Sequence, residues 1–147
     1  MIALIQRVSA SSVRVEGKET AHVARGLNVL LGVVKDDSEE DISRLVPKVV
    51  NLRIFSDEAG RMGRSVVDVG GEALVISQFT LAGSVKKGRR PSFDDAMRAD
   101  EAKRLYELFC SRLAEHIPVS RGVFGAMMDV EIHNDGPVTF IIDTKEL

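Results

Sequence analysis

Apolar and polar residues alternate in short runs through the first third of the chain, the pattern of half-buried strands broken at turns. IALIQRV is followed by SVRVEG and then by TAHVARG leading into LNVLLGVV, with Gly17 and Gly26 where turns belong. LNVLLGVV is almost wholly apolar, which predicts a central strand covered on both faces. From Ile42 the period changes: Ile42, Leu45, Val46 and Val49 recur at helical spacing and give one apolar face. Ser38 followed by Asp41 is a capping-box pattern, so the acidic run Asp36, Asp37, Glu39, Glu40 and Asp41 reads as a helix start rather than a cation site. Pro47 falls inside that helix, where it removes a backbone bond at a cost of about 3 kcal/mol, and a kink or a late helix start is expected.

LRIFSDEAGRMG then reads as a short strand and a polar hairpin turn, and VVDVGGEALVISQFTLAG as two strands around Gly70 and Gly71. Between Arg98 and Ile117 the positions Ala102, Leu105, Tyr106, Phe109, Leu113 and Ile117 restore helical spacing, and Pro118 ends the helix. MMDVEIHN and PVTFIID complete the sheet. Many strands with two isolated helices predict one domain over residues 1–147, of the α+β class, with a mainly antiparallel barrel-like sheet and two helices packed outside it.

Composition narrows the function. At 147 residues the chain can bury a core without disulfides or metals. A net charge of -2 argues against a general basic coat for nucleic acid, so any polyanion must be met locally. The opening MIALIQRV has no basic lead, and no run approaches the roughly eighteen apolar residues of a membrane span, so a cytoplasmic protein with no membrane partner is expected. Cys110 lies on the apolar stripe of the second helix and reads as a buried, inert thiol. His22, His116 and His133 lack ligand spacing, and neither a metal nor a cofactor is expected.

Three stretches could carry chemistry. Lys86, Lys87, Arg89 and Arg90 crowd four cations into five residues, with Phe93 close behind, an arrangement suited to the phosphates and bases of a single-stranded RNA end. The plain alternative is a solvated loop balanced by Asp94 and Asp95. SQFTLAG ends an apolar strand with Ser77, Gln78 and Thr80 clustered; either hydroxyl is a nucleophile by type, but neither has a base at recognisable spacing. HNDGPVTF places Asn, Asp, Gly and Pro against a strand-forming run, which by itself reads as a connection between strands.

SQFTLAG and NDGPVT in this order, with MIALIQRVS, GLNVLLGV, LRIFSD and GRRPSF, resemble the D-aminoacyl-tRNA deacylase (D-tyrosyl-tRNA deacylase) family along the whole chain. The resemblance implies a homodimeric hydrolase that cleaves the ester of D-aminoacyl-tRNA, and of glycyl-tRNA(Ala). It implies that Gly136-Pro137 is cis and enters the partner's active site, where carbonyl oxygens exclude L-amino acids while glycine and D side chains pass. The catalytic positions would be Ser77, Gln78, Phe79 and Thr80, with the Phe79 and Thr80 N–H groups as oxyanion donors and the terminal 2′-hydroxyl assisting the attacking water. Attack by the Thr80 hydroxyl is the lesser alternative. Arg7 would hold the Gly-Pro turn. Lys86, Lys87, Arg89, Arg90 and Phe93 would meet the tRNA, although Phe93 as a core residue is an equal reading. Pro47 departs from the family, which fills this helix with good helix formers. The rival class is a noncatalytic RNA-end binding module; a small-molecule esterase is disfavoured by the lack of a GxSxG elbow.

Overall fold

The computed structural model describes residues 1–147. Its spine is one strand, β1 (Ile2–Val15), where the sequence predicts two. No Gly, Pro, Asn or Asp separates IALIQRV from SVRVEG, and the irregularity is absorbed by register shifts against the last strand on either side of Val8. β1 serves three partners, all antiparallel. Its first half pairs with β3 (Gly26–Gly32) and its second half with β2 (Lys18–Val23). Its other edge pairs with β8 (Asp129–Asp143), which fuses the expected MMDVEIHN and PVTFIID strands into one.

From β3 the chain passes through α1 (Glu39–Asn51) and a small hairpin, β4 (Phe55–Ser56) with β5 (Met62–Arg64), before entering β6 (Glu72–Ser77). From β6 it passes through α2 (Ala99–Ala114) to β7 (Val119–Arg121). Both helices are therefore crossovers, and β6 lies parallel to β3 and β7 parallel to β6. The sheet is mixed, with order β2-β1-β3-β6-β7 and β8 on β1: the three pairs on β1 are antiparallel, as expected, and the two parallel pairs are a correction to the mainly antiparallel reading. On β7 the Ser120 hydroxyl donates to the His22 carbonyl on β2 at 3.4 Å, bringing the ends of the sheet together into a nearly closed barrel.

Both faces of β3 are covered, as its composition requires. Leu27, Val29 and Leu31 pack with Ile42, Leu45 and Val49 of α1 and with Leu105, Phe109 and Leu113 of α2. Each such side chain contributes about 1.5–3 kcal/mol on burial. The opposite face encloses a smaller cluster, Val13, Val23, Leu74 and Ile76. Tyr106 of α2 donates its hydroxyl proton to the Val75 carbonyl at 2.8 Å, and burial lifts the neighbouring Cys110 thiol to about 11. No helix is long and apolar enough to cross a membrane.

Two local expectations change. α1 starts at Glu39 and runs through Pro47 without a late start; Ser38 caps it, and both Pro47 and Ser43, whose carbonyl loses its partner, lie on the exposed face. VVDVGG is a turn rather than a strand, held by the Asp68 carboxylate accepting from the Ser65 N–H at 2.8 Å while Val66 is buried beneath.

Candidate active site

The apolar run of β6 delivers Ser77 to the end of the barrel. Gln78 extends the ladder by one residue, its N–H donating to the Leu31 carbonyl at 2.8 Å, and the chain then tightens into a 3-10 turn, Phe79–Ala82. Such a start leaves the first N–H groups without intrahelical acceptors. Leu81 and Gly83 donate within the turn, whereas the N–H groups of Phe79 and Thr80, the first two of the turn, have no acceptor inside it and receive no side-chain cap. Gln78 Nε2 donates to Thr80 Oγ1. The Thr80 hydroxyl is thus paired with an amide donor, and no histidine, carboxylate or lysine hydrogen-bonds it.

Beside this turn opens a cavity of about 530 Å³, with Ser77, Gln78 and Phe79 on one wall and Met97, Phe124 and Met128 on another. These last three were not anticipated. For Phe124 and Met128 the available signal was GVFGAMM, an apolar loop between two strands, where a loop with no ligand to cover would be polar; Met97, in DDAMRAD, offered none.

The loop KKGRRPSF adjoins the SQFT turn through Phe93, which packs on Phe79 of the cavity wall. Ser84 and Ser92 exchange backbone bonds at 2.8 and 2.9 Å, closing a loop whose tip is Gly88 at φ +73°. Lys86, Lys87, Arg89 and Arg90 are exposed, and none forms an ion pair. Asp94 instead accepts from the Ser92 hydroxyl at 2.7 Å. Phe93 is not a core residue: it is 38% exposed and packs on Phe79, itself 58% exposed, with ring centroids 5.0 Å apart. The aromatic pair joins the basic loop to SQFT.

HNDGPVTF is placed elsewhere, on β8. Asn134 brackets the loop, accepting from the Val138 N–H at 2.8 Å and donating to the Val138 carbonyl at 3.2 Å. Gly136 and Pro137 are exposed, their peptide bond is cis, and Gly136 has φ +149°. Arg7 secures the loop: Nε donates to the Asp135 carbonyl at 2.9 Å and Nη1 to the Ile54 carbonyl at 2.7 Å. Within one chain this loop does not meet SQFT. Ser77 faces Leu31, Leu31 faces Ala3, and Ala3 faces Ile142. Gly136 lies further along β8, on the order of 20 Å along the strand direction. No group of three or more His, Cys, Asp or Glu side chains converges as a metal site.

A pair of N–H groups at the start of a turn beside an apolar cavity, with unneutralised cations on the adjoining loop, is the equipment of a hydrolase with a polyanionic substrate. The chain belongs to the D-Tyr-tRNA(Tyr) deacylase family, which matches residues 4–143. It is 64% identical to the D-aminoacyl-tRNA deacylase of Persephonella marina and 56% identical to that of Aquifex aeolicus, covering 100% of each chain in both comparisons. Among solved structures, one named c-Myc DNA Unwinding Element Binding Protein superposes with a TM-score of 0.93 at 40% identity, over 97% of this chain and 98% of that one.

Proposed function

We propose that this protein hydrolyses the ester joining a D-amino acid to the terminal adenosine of a tRNA, releasing the free tRNA and the D-amino acid, and that it removes glycine from tRNA(Ala) by the same route. The ester carbonyl sits at the end of β6. As water attacks, its oxygen gains negative charge and takes the N–H groups of Phe79 and Thr80, donors already in place and each worth about 3 kcal/mol of barrier. The chain offers no side-chain base there, which suits assistance by the 2′-hydroxyl of the substrate's own ribose. Gln78 and Ser77 orient ribose and ester. Lys86, Lys87, Arg89 and Arg90 take phosphates, and Phe79 with Phe93 offers ring faces for a base.

Chiral selection needs a second copy. The distance between Gly136-Pro137 and SQFT within one chain supports a homodimer in which the loop of one copy enters the cavity mouth of the other. β8 has a free edge and carries exposed Phe140 and Ile141, which support the same contact. Lacking Cβ, Gly136 brings backbone carbonyls close to the substrate α-carbon. An L side chain would collide with them, a D side chain points away, and glycine has none; one site thus accepts many D residues without reading any side chain.

The observation carrying this reading is the pair of uncapped N–H groups at Phe79 and Thr80 beside Gln78. One tRNA charged separately with the D and L forms of an amino acid tests it: selective loss of the D ester is expected. Equal persistence of both would favour a noncatalytic RNA-end binding module, a reading to which the unpaired cations lend support.

A further inference from the structure

Arg7 holds two pieces of chain with one guanidinium, the Asp135 carbonyl beside Gly136-Pro137 and the Ile54 carbonyl at the root of the β4-β5 hairpin. Loop and hairpin therefore share an anchor and move together. The hairpin is closely organised. Asp57 Oδ1 accepts the N–H groups of Ala59 and Arg61, each at 2.9 Å, and the Asp57 N–H donates to the Arg61 carbonyl at 2.7 Å. Gly60 supplies the left-handed residue at φ +76°. Gly63 leaves room for the Asp57 carboxylate, since a Cβ there would fall 2.5 Å from Oδ2. Its root is buried at Phe55, yet its tip buries nothing: Met62 is 50% exposed, and Arg61 is exposed and has no acidic partner. Order of this kind around an unpaired cation serves a contact made outside the chain.

We propose that Arg61, supported by Met62, crosses to the other copy together with Gly136-Pro137 and binds a backbone phosphate of the RNA held there, just before the terminal adenosine. The inference rests on the two-copy site proposed above. The hairpin doubles back at Asp57, whose N–H meets the Arg61 carbonyl, so Arg61 stands three residues out from Ile54, roughly 10 Å, and its long side chain carries the guanidinium past the aminoacyl end that the Gly-Pro loop occupies and toward the preceding nucleotides. A guanidinium suits a phosphate by its forked donors. Lys86, Lys87, Arg89 and Arg90 come from the copy that supplies Gln78, so the RNA end is gripped from both subunits. On a chain of net charge -2 that is how a polyanion is met locally.

Arg61→Ala, folded as judged by an unchanged melting temperature, should raise KM for D-aminoacyl-tRNA about five- to tenfold at constant kcat. It should flatten the slope of log(kcat/KM) against log[salt] by about 0.7, as for one single-strand phosphate contact, and leave hydrolysis of D-aminoacyl-adenosine, which has no phosphates, unchanged. Mixed dimers locate the residue. In a heterodimer of a Gln78→Ala chain with an Arg61→Ala chain, the intact Gln78 site is faced by an unaltered hairpin and should keep the wild-type KM. Placing both substitutions on one chain opposite a wild-type chain should raise it. The reverse pattern, or an unaltered KM in the Arg61→Ala homodimer, overturns the proposal. A heterodimer of Gln78→Ala with Gly136→Ala isolates the underlying reading: recovery of D-selective activity upholds the shared site whatever Arg61 does. Failure to recover it removes both.

Discussion

Arg7 and Asp135 stand 128 residues apart in sequence and are joined by a 2.9 Å hydrogen bond from the guanidinium to the backbone carbonyl. The Arg7 side chain is only 12% exposed, and its companion bond to the Ile54 carbonyl is part-buried, while the Asp135 bond lies at the surface. Lysine would keep the charge but cannot span two carbonyls with a fork. Arg7→Lys should lower stability by about 1–2 kcal/mol, read from urea midpoints, and should loosen chirality. The check is the ratio of D to L ester hydrolysis on one tRNA, which should fall; an unchanged ratio would separate Arg7 from selection.

Gly136 carries a stronger constraint. A Cβ there would lie 2.7 Å from both the Val138 N and Val138 Cγ2, at a φ of +149° that L residues rarely adopt. These are the loop's own atoms, so relief requires the loop to move. Gly136→Ala should cost about 1–3 kcal/mol of stability and lower D-ester hydrolysis at least tenfold, with the secondary structure retained by circular dichroism. Full activity with full selectivity would show that the backbone need not come close to the substrate.

Side-chain truncation separates the two mechanisms open at SQFT. The oxyanion donors proposed above are backbone groups, which Thr80→Ala retains, while the hydroxyl that accepts from Gln78 is lost. Thr80→Ala should keep kcat within about tenfold, and Gln78→Ala should lower kcat/KM by roughly tenfold to a hundredfold through misorientation. Abolition of turnover by Thr80→Ala, with a covalent aminoacyl-enzyme trapped from wild type, would instead identify the hydroxyl as nucleophile.

How much was legible in the sequence follows from how local each signal is. Helix periods and the Ser38 cap are written within a few residues, and both helices lie where those signals put them, although α2 ends at Ala114, short of Ile117 and the expected stop at Pro118. What the helices connect is not local: strand pairing across a crossover is decided by packing, so the parallel β3-β6 and β6-β7 pairs escaped a reading based on adjacent strands. The single β1 escaped for a related reason, since the double serine at Ser11 and Ser12 weakens its alternation yet continues the strand. At the site, SQFT and GRRPSF were separate motifs until the Phe79-Phe93 contact joined them, and the methionine wall of the cavity carries no motif at all.

Asp41 predicts a pH dependence. Burial alone would raise its carboxyl, but the Ser38 N–H, the Thr144 hydroxyl, the chain's amino group and Arg44 outweigh that and hold it below its ordinary 3.8. A carboxyl lowered by folding stabilises the fold fully above its ordinary value and ceases to do so as pH falls through the folded one. Asp41→Asn should therefore cost about 1 kcal/mol at pH 7, as lost caps do, with the difference from wild type closing below about pH 4. Urea midpoints at pH 7 and pH 3 give both values.

The four cations of the 84–92 loop offer the most direct evidence on the substrate, because salt counts charges. A solvated loop and a phosphate-binding loop look alike at one ionic strength. Each phosphate neutralised on a single strand releases about 0.7 of a counterion, so four contacts contribute roughly 3 to the slope of log(kcat/KM) against log[salt]. Replacing Lys86, Lys87, Arg89 and Arg90 together by glutamine should flatten the slope by that amount and raise KM most at low salt. D-aminoacyl-adenosine should be hydrolysed as before, since it has no phosphates and the ester site proposed at Ser77, Gln78, Phe79 and Thr80 does not include these cations. A slope that does not change would return these cations to solvent. The RNA would then have to be held elsewhere on a chain whose exposed acids and bases nearly balance.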